Sequence, residues 1–204
     1  MYKRQGGTTA PAGGGGLEGG ADGGGFGAGG RGAAGGSDGG MGGSDPGPGY
    51  RRAFVTAASF TGAMGGLDGA DEACDDAAAN LGGGGWRAWL SDGSAVADQR
   101  LSDVGPWLSL DGTTTIATSL SDLANGPTNP LQEDELGLPV TGQAWTGTSY
   151  NGNAVASADH CVGWQSPNGG QYGLVGGIGE LGVGFTDFDS KACSQPAHLY
   201  CLEQ

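Results

Sequence analysis

Residues 65–92, GGLDGADEACDDAAANLGGGGWRAWLSD, change from a helical to a strand-like spacing of apolar positions. Ala70, Ala73, Cys74, Ala77 and Leu81 recur at i, i+3, i+4, i+7 and i+11, which predicts a helix that turns Cys74 toward a core. Asp68 is the expected N-cap, with Asp71 completing a box-like start, and Asp71 and Glu72 lie where the helix dipole favours negative charge. Asn80 and the glycines after Leu81 end the helix. WRAWLS (86–91) follows as a strand carrying Trp86 and Trp89, and RRAFVTAASF (51–60) has the β-branched and aromatic mix of a first strand.

Further along, SLSDLANG predicts a second, shorter helix, with Ser119 as cap, Asp122 three residues later and Gly126 as terminator. Residues 127–142, PTNPLQEDELGLPVTG, form a loop with three prolines and an acidic cluster. QAWTGT (143–148), HCVGWQS (160–166) and HLYCLEQ (198–204) are the predicted late strands, and the glycines of GGQYGLVGGIGELGVG (169–184) read as turns and bulges. This order predicts an α+β domain in which two helices pack on a small antiparallel sheet and a long irregular loop is left over. Loops of that length usually carry function, so the loop is the expected ligand-binding region.

Composition divides the chain. Residues 1–49 hold roughly half of the 48 glycines and few large apolar side chains, so they read as a disordered tether that cannot offset its ordering entropy; residues 50–204 are one domain. No run of about 18 apolar residues suggests a membrane span. MYKRQ is basic, but GGTTAPAGGGG stands where a signal peptide's apolar region belongs. The expectation is therefore a natural start farther upstream, with an export signal or lipid anchor that tethers the domain.

Eight Lys and Arg against 22 Asp and Glu give a net charge of −14, which repels phosphate backbones and excludes nucleic acid as the expected partner. Four cysteines without a C-x-x-C pair, beside only two histidines, suit disulfides in a secreted or cell-surface protein better than a zinc site. Four cysteines allow three connectivities, and spacing alone does not choose among them.

Three blocks carry a resemblance: GAMGGLDGADEACDDAAANLGGGGWRAWLS; then AWTGTSYNGN…CVGWQS, with its W-x-G-x-x-x-x-G and C-x-x-W elements; and the closing ACSQPAHLYCLEQ. Together they resemble collagen-derived endostatin, and more closely the endostatin-like bacterial domain-of-unknown-function family 1554, over essentially residues 52–204. The resemblance implies a C-type lectin-like fold, with Cys74 bonded to Cys201 and Cys161 to Cys193. It also implies a domain that presents loops for binding, with an extracellular glycan or protein as partner. The family's functional residues carry over poorly. The E-P-N or Q-P-D and W-N-D elements of calcium-dependent sugar binding are incomplete here, as are endostatin's zinc-binding histidines and its arginine clusters.

Candidate chemistry is sparse. Glu133, Asp134 and Glu135 offer hard oxygen ligands, and with Asp187 and Asp189 would form a calcium site if the loops meet; the plainer reading is a solvated charge run. Trp107, after Gly105-Pro106, is the tryptophan assigned with these acids to ligand binding, whereas Trp86, Trp145 and Trp164 read as core. Asp159 and His160, with nearby serines, invite an alternative reading as a secreted hydrolase of extracellular polymers. However, neighbours in sequence do not face each other on a strand, and no G-x-S-x-G elbow is present. His198 reads as structural. The expected function is a binding or adhesion module, not an enzyme, and the third alternative is a purely structural surface domain.

Overall fold

The computed structural model describes residues 49–154 and 159–204. The segment read as a tether lies outside the described residues, apart from Gly49. The architecture is α+β, with two sheets rather than the single antiparallel one expected. The larger sheet has strand order β2-β8-β1-β3-β4, built from β1 (Arg51–Val55), β2 (Trp86–Ala88), β3 (Trp107–Leu108), β4 (Thr115–Ala117) and β8 (Tyr200–Glu203). It is mixed: β1 runs antiparallel to β8 but parallel to β3, with Arg51 opposite Trp107. The smaller sheet is antiparallel, in the order β5 (Gln143–Trp145), β6 (Tyr172–Gly177), β7 (Asp189–Ala192).

Alternation along β1 and β8 divides the core in two. Ala53, Val55, Tyr200 and Leu202 enter one cluster with Trp89, Trp107, Leu131 and Phe185. Phe54 and Cys201 enter the other with Trp86, Trp145, Trp164 and α1 (Gly66–Ala77). With both faces covered, the central strands read as continuous apolar runs rather than alternating ones.

Helix α1 has the predicted face. Ala70 and Cys74 are fully buried, and Ala73, Ala77 and Leu81 pack partly buried against the same cluster. Its start differs from expectation: Gly65, in the left-handed region at φ 87°, precedes Gly66, so Asp68 lies inside the first turn. Asp71 and Asp75, one turn apart, instead accept the backbone N–H groups of Ala88 and Trp86. Arg100, on α2 (Ala97–Arg100), pairs with Asp71 at 2.7 Å and donates to the Ala88 carbonyl. These bonds occupy the outward N–H groups of Trp86 and Ala88 and the Ala88 carbonyl, which protects the outer edge of β2 from further strand pairing. In α3 (Leu120–Asn125), the Ser119 hydroxyl accepts from Asp122 N–H and Gly126 follows the last turn, both as predicted.

Two disulfides close the fold, Cys74–Cys201 and Cys161–Cys193. The first ties α1 to β8 across 127 residues. Beside it, Arg52 on β1 meets Glu203 on β8 in a buried ion pair. The carboxylate accepts from Arg52 Nε and Nη2 at 2.9 Å, and also from the backbone N–H groups of Arg52 and Gly84.

The HCVGW segment is not a strand. Residues Cys161–Trp164 form a left-handed turn, with φ of 49°, 57°, 66° and 60° in order. Only Gly163 takes up that region without penalty; for the other three it costs about 1–2 kcal/mol per residue. The surroundings hold the turn: His160 Nδ1 accepts from Gly163 N–H, Trp164 Nε1 donates to the Ser91 carbonyl, and Cys161 is bonded to Cys193. The glycine-rich 169–184 segment likewise contains β6, the central strand of the smaller sheet, rather than turns alone. A Cβ at Gly173 would lie within 3.0 Å of Trp145, the Cys161 sulfur and Trp164, so packing explains glycine there.

Candidate functional site

The long loop is held in place by backbone bonds to the sheet and by its own turn. Val55 N–H donates to the Glu133 carbonyl, Thr128 N–H to that of Ile116, and buried Leu131 anchors the loop in the core. Its tip folds back through an isolated bridge between Glu133 and Pro139. Asp134 organises that tip: its Oδ1 accepts from the N–H groups of Leu136 and Leu138 at 2.9 and 2.8 Å, and its own N–H donates to the Leu138 carbonyl. Gly137 supplies the positive φ, 75°, that the reversal requires. Glu135 reaches back so that its Oε2 accepts from Ala57 N–H.

Opposite lies the β3–β4 turn, held by Asp111. Its carboxylate accepts from the Ser109 hydroxyl and from the N–H and hydroxyl of Thr113. These bonds, the Ser109 one foremost, hold the Asp111 carboxyl below the usual carboxylate range, so it stays ionised in mildly acidic solution.

Between the loop and this turn are two concavities, both lined by Glu133. One, about 190 Å³, is lined by Ser109, Thr114, Ile116, Asn129 and Gln132 among others. The other, about 360 Å³, is lined by Leu81, Leu110, Leu136 and Gly137 together with Asp111, Glu133 and Glu135. Glu133 is half-buried, and its carboxylate has no hydrogen bond or ion pair among the described residues. Leu136 is 73% exposed. Among the described residues, no Lys or Arg lines either concavity.

The structure therefore brings together only part of the predicted site. Glu133 and Glu135 line the larger concavity, whereas Asp134 is buried beneath the tip and spent on backbone N–H groups. Trp107 is 0% exposed and its indole donates to the Glu203 carbonyl, so it is core and not a ligand platform. Trp86, Trp89, Trp145 and Trp164 are buried as well. Asp187 and Asp189 lie on the connection to β7 and at its start, where they accept from the N–H groups of Tyr150 and Ser190. Among the described residues, no three His, Cys, Asp or Glu side chains converge to hold a metal ion, so the five-carboxylate calcium site does not assemble. The donors do not fit calcium because most already serve the backbone, and Ca²⁺ takes six to eight oxygens.

Sequence reasoning missed Leu81, Leu110, Asp111 and Leu136. A signal for Asp111 exists in SLDGTT, whose Asp-Gly-Thr order marks a turn in which the carboxylate caps the following N–H groups. The leucines carry no such signal, since their convergence depends on the tertiary fold.

The histidines have other roles. His160 is 9% exposed and its Nδ1 is taken by Gly163 N–H, so Nε2 carries the proton; that atom is buried beside Gly93 without a partner among the described residues. His198 Nδ1 donates to the Thr56 carbonyl. At the neighbouring 92–95 turn, burial works to raise the Asp92 carboxyl. Bonds from Ser94 and Ala95 outweigh that and hold it below its ordinary value. Among the described residues no helix is long and apolar enough to cross a membrane. No protein-family model matches the chain, and no curated protein is significantly similar to it.

Proposed function

We propose that the chain is an extracytoplasmic binding module of endostatin-like, C-type lectin-like fold, which takes a glycan or protein ligand at the loop concavity. The observation that carries this reading is the concavity itself: a pre-ordered loop tip with an exposed leucine, a carboxylate without a partner among the described residues, and a facing turn fixed by its own hydrogen bonds. Functional pockets combine apolar walls with a few convergent polar groups, and preorganisation lowers the entropy cost of binding. Two disulfides favour an oxidising compartment such as the cell surface or beyond. The cysteine pairing is the one the endostatin-like resemblance implies.

Binding is favoured over hydrolysis on the state of His160. A general base needs an available lone pair near a nucleophile, and this imidazole has given its acceptor nitrogen to Gly163 N–H. A glycan array and a displayed peptide library, probed with the wild-type chain and with Glu133→Lys/Leu136→Asp, test the reading. Ligands retained by the wild type are expected to be lost from the variant by at least about tenfold, roughly 1.4 kcal/mol. Undiminished retention by the variant, or no retention by the wild type, would overturn it.

A further inference from the structure

The lining of the larger concavity says what its ligand must carry. Leu81 from the turn after α1, Leu110 from the β3–β4 turn and Leu136 from the loop tip supply apolar surface from three parts of the chain. Asp111, Glu133 and Glu135 set three carboxylates among them, with no lining cation among the described residues to neutralise them. A neutral sugar seated there would desolvate these carboxylates without compensating their charge, which is costly. A second copy of the chain would bring another net −14, and a polyanion would be repelled outright.

We infer that this concavity receives a basic side chain presented beside an apolar one on a protein ligand, with arginine the best-fitting residue. Its methylene stem lies along leucines while its planar guanidinium meets carboxylates at the rim. Glu133, with no partner among the described residues, is the group placed to take a bidentate bond, and Asp111 stays ionised to add its field. The acidic domain also steers a cationic partner toward the site over distances of about a Debye length. This inference rests on the concavity being the ligand face and narrows the ligand from glycan or protein to a basic, apolar protein segment.

The test uses the full ¹⁵N-labelled chain titrated with three probes: acetyl-Leu-Arg-Leu-amide, the same peptide with citrulline for arginine, and an N-acetylglucosamine trimer. Citrulline keeps the shape of arginine and removes its charge. The arginine peptide is expected to shift the amides of Asp111, Leu136 and Gly137 saturably, with the citrulline peptide at least about tenfold weaker. Glu133→Gln and Leu136→Ser should each weaken the arginine peptide by about three- to fivefold, in the range of an exposed charge pair or a partial apolar contact. Neither side chain makes a hydrogen bond within the fold, so an unchanged spectrum elsewhere verifies folding of both variants. Equal binding of the citrulline peptide, or tighter seating of the sugar at these amides, would overturn the cation inference and leave the concavity as ligand face. Probes that shift none of these amides would overturn both.

Discussion

Replacing Glu203 by Gln asks whether the buried Arg52–Glu203 pair holds the first and last strands together. The carboxylate receives four hydrogen bonds, from Arg52 N at 3.1 Å, Arg52 Nε and Nη2 at 2.9 Å, and Gly84 N at 3.1 Å, divided two and two between its oxygens. Glutamine offers one acceptor oxygen, so its amide NH₂ must face two donors in either orientation, and the buried guanidinium loses its charge-assisted bonds to Glu203. Breaking one partner of such a pair costs about 3–5 kcal/mol. Urea unfolding at pH 7 should show that loss. Burial works to raise the Glu203 carboxyl, but the bonds from Arg52 and Gly84 outweigh it and hold it below its ordinary value. Its stabilising contribution is therefore present above the unfolded carboxylate range and is lost as pH falls through the lowered folded value. The variant should lack that part of the acid sensitivity. In a double-mutant cycle with Arg52→Met, the paired change should cost less than the sum of the singles by about 2 kcal/mol. A Glu203→Gln loss under about 1 kcal/mol, with additive singles, would refute the argument.

Three further outcomes follow from the same structure. In the chain-entropy relation, replacing Cys74 and Cys201 by alanine removes about 4.9 kcal/mol for a separation of 127 residues, against about 3.7 kcal/mol for the 32 residues between Cys161 and Cys193; guanidinium unfolding of the two double variants should rank them in that order. Gly176→Ala places a Cβ 1.7 Å from the Phe185 carbonyl oxygen, so it should lower stability by about 2–3 kcal/mol in the same assay. Thermal unfolding should be identical with millimolar Ca²⁺ and with chelator. A calcium-specific rise approaching the roughly 2.7 kcal/mol expected at a hundredfold excess over Kd would contradict the assignment of these carboxylates to backbone N–H groups.

The first helical segment was legible because one pattern, the i, i+3, i+4 face, is set by burial against one packed cluster; Ala70 and Cys74 lie where that pattern puts them. The Ser119 cap was legible for a similar reason, since a hydroxyl three residues before Asp122 acts locally. The cysteine pairing came from the order of motifs along the chain rather than from any physical property of the residues. Where tertiary contacts override local preference, the reading failed. HCVGW has strand composition, yet a disulfide, a histidine acceptor and an indole bond hold it in a left-handed turn. Strand β6 was hidden because its glycines answer to the indoles of Trp145 and Trp164 and to the Phe185 carbonyl, which lie elsewhere in the sequence. The same limit applies to the candidate site. The acidic loop stood out by composition, but only the fold shows that Asp134 is spent on the backbone, that Asp187 and Asp189 lie elsewhere, and that Leu81 and Leu110 complete the concavity.

Hydrogen–deuterium exchange of the chain, free and saturated with a ligand retained on the array, tests most directly whether the loop concavity is the binding face. Protection on binding should concentrate in residues 109–114 and 129–139, with the β6–β7 connection unchanged. Protection confined to the β6–β7 connection or to the left-handed turn, with the loop exchanging as in the free chain, would contradict the account.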